Sequence, residues 1–223
     1  MAGGGCTHRS PAALRRRRLQ AIQRSDTRII QSAIDVKFWA QVPPSCAAVR
    51  PASCPGCGAA SREPGKSLRV VGHGLRGRDV EGPEEPEAGP ASRTVLARRY
   101  RCLGCGAVLV VVPRGVARTL RYTLDAIGYA LALWGYAQRT AEQVRRAVSA
   151  ATARGLSAPS QWSSLRRWAA RGARIFGAGA PSTSGMLRDR AGQVATWLTS
   201  RAPLPTGQVP RDAFFGGRFI HAR

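Results

Sequence analysis

Apolar positions change their spacing twice along the chain. Up to residue 28 they show no sustained period. Residues 1–45 therefore read as a disordered basic arm, carrying Arg15–Arg18, followed by a lead-in segment. The lead-in holds Ile29, Ile30, Ile34, Val36, Phe38 and Trp39, and fits a strand or a short helix running into Pro43-Pro44. Short extended patterns follow. Leu68–Val71 is strand-like, apolar and basic residues alternate from Val95 to Tyr100, and the run Val108–Val112 is closed by Pro113. Between them, Asp79–Pro90 carries five acids and three prolines and reads as a solvated loop. The alternative is an acidic mimic of nucleic acid that masks a basic face.

From Tyr122 the period becomes helical. Leu120, Leu124, Ile127, Leu131 and Trp134 recur at three- and four-residue steps and predict one buried face. Thr140 with Gln143 three residues on predicts a capping box, followed by a stripe of Val144, Ala147, Val148 and Ala151. Residues 155–159 predict a turn, and a third helix is expected over about Ser160–Ala173. At ~100° per residue its inner face is Trp162, Leu165, Trp168, Ala169 and Gly172. Its outer face is Ser160, Ser163, Arg167, Arg171 and Arg174, flanked by Arg166. Beyond Phe176 come a small-residue linker, one further helix over Met186–Ser200, and a Pro- and Gly-rich end without a readable pattern.

Charge changes this picture. The 223 residues hold 35 Lys plus Arg against 12 Asp plus Glu, a formal net charge of +23. Arg dominates, with Lys37 and Lys66 the only lysines. GC-rich coding accounts for Arg over Lys but not for the scarcity of acids. Such an excess repels itself and attracts polyanions, which makes nucleic acid the expected partner. Between Arg98 and Arg174 the only acids are Asp125 and Glu142. The longest apolar stretch, Ala126–Ala137, is short of the ~20 residues a membrane helix needs. The N-terminus lacks the apolar core of an export signal. Cytoplasmic, nucleoid-associated placement is the expectation.

Cysteine spacing supplies the candidate chemistry. Cys54-Pro-Gly-Cys57-Gly58 and Cys102-Leu-Gly-Cys105-Gly106 are two C-x-x-C-G knuckles. Each puts two thiolates within reach of one ion, and together they make the closed four-thiolate set of structural zinc. The gap from Cys57 to Cys102 exceeds the usual ~15–20 residues, and the acidic loop accounts for much of the excess. Cys46 reads as a bystander, and His73 as a lone loop histidine.

These residues resemble a known arrangement. The knuckle at Cys54, then Gly72-His73-Gly74-Leu75-Arg76-Gly77-Arg78, the run Arg98–Gly106, Val112-Pro113, Arg121–Ile127 and Ser164–Trp168 occur in an order similar to the zinc-ribbon and helix-turn-helix region of bacterial transposase-like proteins. The resemblance spans about residues 46–176. It implies recognition of element-end DNA, with Cys54, Cys57, Cys102 and Cys105 as ligands. It does not carry over the nuclease core, because only Asp189 and Asp212 lie beyond the helical segment.

The expected fold is therefore α+β. A small β zinc ribbon (46–113, with the acidic loop 79–90) precedes an all-α three-helix helix-turn-helix module (114–176), then a linker and tail (177–223). The expected function is sequence-specific binding of double-stranded DNA, without catalysis. One structural Zn2+ is expected per chain, with a transposase or a second copy as further partners. DNA contacts are assigned to Ser160, Ser163, Arg166, Arg167, Arg171 and Arg174. The alternatives are a truncated DNA-cleaving transposase or recombinase, and a zinc-ribbon protein–protein adaptor.

Overall fold

A computed structural model describes residues 27–118, 120–151, 162–177 and 179–220. The basic arm, the turn at 155–159 and Ser160 lie outside the described residues.

The sheet draws its strands from well-separated parts of the chain. Strand β1 (Thr27–Asp35) lies parallel to β4 (Val108–Arg114). β4 pairs antiparallel with β3 (Ala91–Cys102), and β3 with β2 (Val70–Gly82), giving the order β1-β4-β3-β2. Helix α1 (Val36–Gln41) follows β1 directly, started by Asp35, whose carboxylate accepts from Lys37 N at 2.9 Å. It covers one sheet face with Trp39, whose indole N–H donates to Leu96 O at 2.9 Å. Trp39, Val49, Tyr100, Leu109 and Val111 form part of the core here.

Six further helices follow among the described residues: α2 (Leu124–Gly135), α3 (Ala141–Val148), α4 (Ser163–Ala170), α5 (Gly172–Phe176), α6 (Leu187–Thr199) and α7 (Val209–Phe219). Every residue of α2 from Leu124 to Ala132 is buried, so it is the axis around which the others pack. The capping box at Thr140 forms as expected, with Gln143 N donating to Thr140 Oγ1 and Thr140 N to Gln143 Oε1. Val144 and Val148 are buried and Ala147 half-buried, while Ala151 is exposed.

The chain is thus a mixed α/β protein with a four-stranded sheet in mid-chain and seven helices among the described residues. It is not a small zinc ribbon followed by a three-helix helix-turn-helix module. Three physical causes account for the correction. β1 gains its partner from Val108–Val112, about eighty residues away, so a local pattern shows only an ambiguous apolar run. β2 runs on through Gly82, because Asp79, Glu81 and Gly82 pair with Thr94, Ser92 and Ala91, and only the turn at 83–90 remains of the expected solvated loop. Finally, α6 and α7 pack against α2, which makes the C-terminal segment part of the core.

The third helix differs too. It breaks at Arg171 (φ −118°, ψ 16°), whose N–H is shared between Arg167 O and Trp168 O. α5 then restarts with Gly172 packed against Val194 of α6. The inner face is as expected: Leu165, Trp168, Ala169 and Gly172 are buried and Trp162 half-buried. No described helix is long and apolar enough to cross a membrane.

Candidate metal centre and basic groove

The two knuckles are built alike. In the first, Cys54 N donates to Ala59 O and Gly58 N to Cys54 O; in the second, Cys102 N donates to Ala107 O and Gly106 N to Cys102 O, all at 2.8–2.9 Å. Gly58 and Gly106 close the turns at φ 73° and 77°, a region where a β-carbon is strained. The second knuckle is the turn between β3 and β4. The first is held against it through Ser61, since Arg69 N donates to Ser61 O and Leu103 N to Arg69 O.

This brings all four sulfurs within 4.8 Å of one another. Cys54 Sγ lies 3.7 Å from Cys105 Sγ, and Cys57 Sγ 3.8 Å from Cys102 Sγ. Metal–sulfur bonds of about 2.3 Å in a tetrahedron give an edge of about 3.8 Å. The cluster fits one metal ion. Cys54 and Cys102 are buried while Cys57 and Cys105 are exposed, so the site sits at the protein edge. Burial opposes ionisation of the Cys102 thiol, yet backbone N–H groups of Cys105 and Gly104 bring it down to about 7.

Cys46 stands apart from the cluster. It packs against β2 at Gly72, where a β-carbon would meet its sulfur at 2.8 Å. His73 is exposed on β2, at the bulge between Gly72 and Leu75, and is not in the cluster.

The basic residues converge elsewhere. Arg118, Arg121, Arg167, Arg171 and Arg174 line a cleft of about 610 Å³ floored by Tyr122 and Trp168. A second concavity of about 320 Å³ adjoins it, sharing Arg118, Leu120 and Arg121 and adding Arg76 and Arg78 from β2. The strand register extends this surface. Arg76 is opposite Ala97, and Arg99 is opposite Val110. Residues two apart share a face, so Arg76, Arg78, Arg99 and Arg101 lie on one side of the sheet.

Among the described residues, Arg76, Arg118, Arg167, Arg171 and Arg174 have no carboxylate within 4.0 Å. Arg121 does: its Nη2 is 2.7 Å from the buried Glu81 Oε1, off the line of a good hydrogen bond. Arg78 is structural, donating to Ala117 O and to Leu120 O. Burial first, and the nearby Arg76 charge second, push its guanidinium below its ordinary value.

No family model, no curated protein and no solved structure matches this chain.

Of the residues assigned from sequence, the structure brings Arg167, Arg171 and Arg174 together in the groove. Ser163 is exposed beside it, and Ser164 lines the groove instead. Arg166 faces a different hollow, with Trp134 and Arg188. Sequence reasoning gave no role to Arg76, Arg78, Arg99, Arg101, Arg118 and Arg121. The signal available was arginine at two-residue spacing, Arg76/Arg78 and Arg99/Arg101, the period of one strand face.

Proposed function

We propose that this protein binds double-stranded DNA along its arginine groove and holds one structural zinc ion between its two knuckles. The observation that carries the reading is the pair of adjoining concavities. They gather Arg76, Arg118, Arg121, Arg167, Arg171 and Arg174 on one surface, where Asp79 is the one lining acid among the described residues. Groups spaced along such a surface neutralise successive phosphates and release counterions. Among the described residues the two rings that line the groove are withdrawn, Trp168 buried and Tyr122 half-buried, which favours duplex over stacked single strands. Four sulfurs at single-ion spacing close the coordination shell and leave structural bracing as the metal's role; soft thiolates suit iron as well, and the paired C-x-x-C spacing favours zinc.

The likeness of the ordered motifs to transposase DNA-recognition regions makes the ends of mobile elements the natural target class. A binding rather than a cutting role is supported by how the two late acids are engaged. Asp189 accepts from Met186 N at the start of α6, and Asp212 accepts from Thr206 and Gly207 N–H groups. Both thus serve local backbone capping, and no third carboxylate joins them among the described residues.

The test is a salt titration of binding to a fluorescent duplex. Wild type should lose affinity steeply with salt. Arg171→Ala and Arg174→Ala should each weaken binding and lower the slope of log K against log salt by about one unit. The reading fails if both variants, and the two combined, retain wild-type affinity and slope.

A further inference from the structure

At the Arg114 end of β4, opposite the end that joins the second knuckle, α1 and α7 help line a cavity of about 480 Å³ that neither the zinc nor the DNA reading uses. That volume falls in the ~300–1,000 Å³ range of small-molecule sites. Three rings line it, Phe38 from α1 with Phe215 and Phe219 one turn apart on α7, among the charged side chains of Asp35, Lys37, Arg114, Arg211 and Arg218. Leu204 stands at the rim. Phe38 and Leu204 are 69% and 81% exposed, a high exposure for large apolar side chains.

The charges around it are unevenly matched. Lys37 pairs with Glu85, and Arg218 with Asp125 at 3.0 Å. Arg211 is exposed and has no carboxylate within 4.0 Å among the described residues; its guanidinium lies 5.6 Å from the Phe215 ring centroid. Arg114 lies 4.6 Å from the centroid of Phe219 and reaches Asp35 only at 3.6 Å. Its Nε is buried and has no hydrogen-bond partner. Buried donors are almost always satisfied, so Arg114, which lines the cavity with a side chain 21% exposed, carries hydrogen-bonding capacity that its protein partners leave unused.

We infer that this cavity binds a small organic anion with a flat apolar body, its ring among the three phenylalanines and its acidic group toward Arg114 and Arg211. A ring alone leaves the Arg114 donor unmet, and an inorganic anion leaves the aromatic walls exposed, so both halves are required.

The probe is 1-anilinonaphthalene-8-sulfonate, followed by its fluorescence. Its uncharged counterpart N-phenyl-1-naphthylamine and inorganic phosphate serve as the two half-ligands. One sulfonate should bind per chain. The uncharged analogue should bind at least tenfold more weakly, and phosphate should not compete at equal concentration. Arg211→Glu and Phe38→Ala alter exposed positions and should keep the wild-type melting temperature. The first should weaken the sulfonate at least tenfold, and the second several-fold. Leu204→Trp should close the mouth and remove binding. Wild-type affinity in both Arg211→Glu and Leu204→Trp would place the probe elsewhere and overturn the assignment, as would full competition by phosphate alone. DNA binding plays no part in these readouts, so failure here and failure of the groove are separable.

Discussion

A cysteine in a C-x-x-C-G turn presents its sulfur because the turn beneath it is fixed by two backbone hydrogen bonds and a left-handed glycine. Both knuckles share this geometry, and the Ser61–Arg69–Leu103 hydrogen bonds bring them together so that sulfurs of different knuckles lie 3.7 and 3.8 Å apart. Removing one thiolate leaves a three-sulfur site open to water. Cys102→Ser should therefore lose its metal, whereas Cys46→Ser should retain one ion per chain by elemental analysis. Equal metal in the two variants would rule out the four-cysteine assignment. This centre was legible in the sequence because each half of it is local, four residues and a glycine. The sheet arginines were not, because a residue's face depends on register with strands far along the chain. Arg76 and Arg99 share a face only once β2, β3 and β4 are aligned.

At the scale of elements, the same contrast separates α3 from α7. The cap and stripe of α3 were readable because helix signals lie within one turn of each other. The segment that forms α7 has Pro210 in its first turn, where it is tolerated, but Gly216-Gly217 in its interior, which locally disfavours a helix. In the structure the glycines are contact surfaces. A β-carbon at Gly216 would overlap the Leu198 carbonyl of α6, and one at Gly217 would come 2.6 Å from Leu124 O of α2. Helix propensity is sacrificed so that three helix backbones meet closely. Gly216→Ala improves propensity by about 1 kcal/mol and should nevertheless destabilise. The expected net loss is about 1–3 kcal/mol, since an overpacked core must shift backbone. Chemical denaturation reads this directly, and an unchanged or raised midpoint would show that α7 does not dock as described.

For the molecule as a whole, the junction between sheet and helices doubles as the wall of the groove. Glu81 at the end of β2 is 1% exposed, and its backbone exchanges hydrogen bonds with Arg121 and Thr123. Its carboxylate accepts from Ser149 Oγ at 3.3 Å and faces Arg121 at 2.7 Å. The acid therefore joins the two layers while occupying an arginine of the proposed DNA groove. Glu81→Gln keeps the shape but removes the charge, and its two effects should have opposite signs. Folding stability should fall by about 1–3 kcal/mol, the cost of an impaired buried hydrogen-bond network, moderated because Arg121 is more than half exposed. DNA affinity should rise, and its salt dependence steepen by about 0.9 of a slope unit, as Arg121 becomes free to neutralise one further phosphate. Thermal melting and the duplex salt titration measure the two on one preparation. If the variant melts lower but binds no tighter and with an unchanged slope, Arg121 does not contact DNA, and the interface ends at the α4–α5 side of the groove.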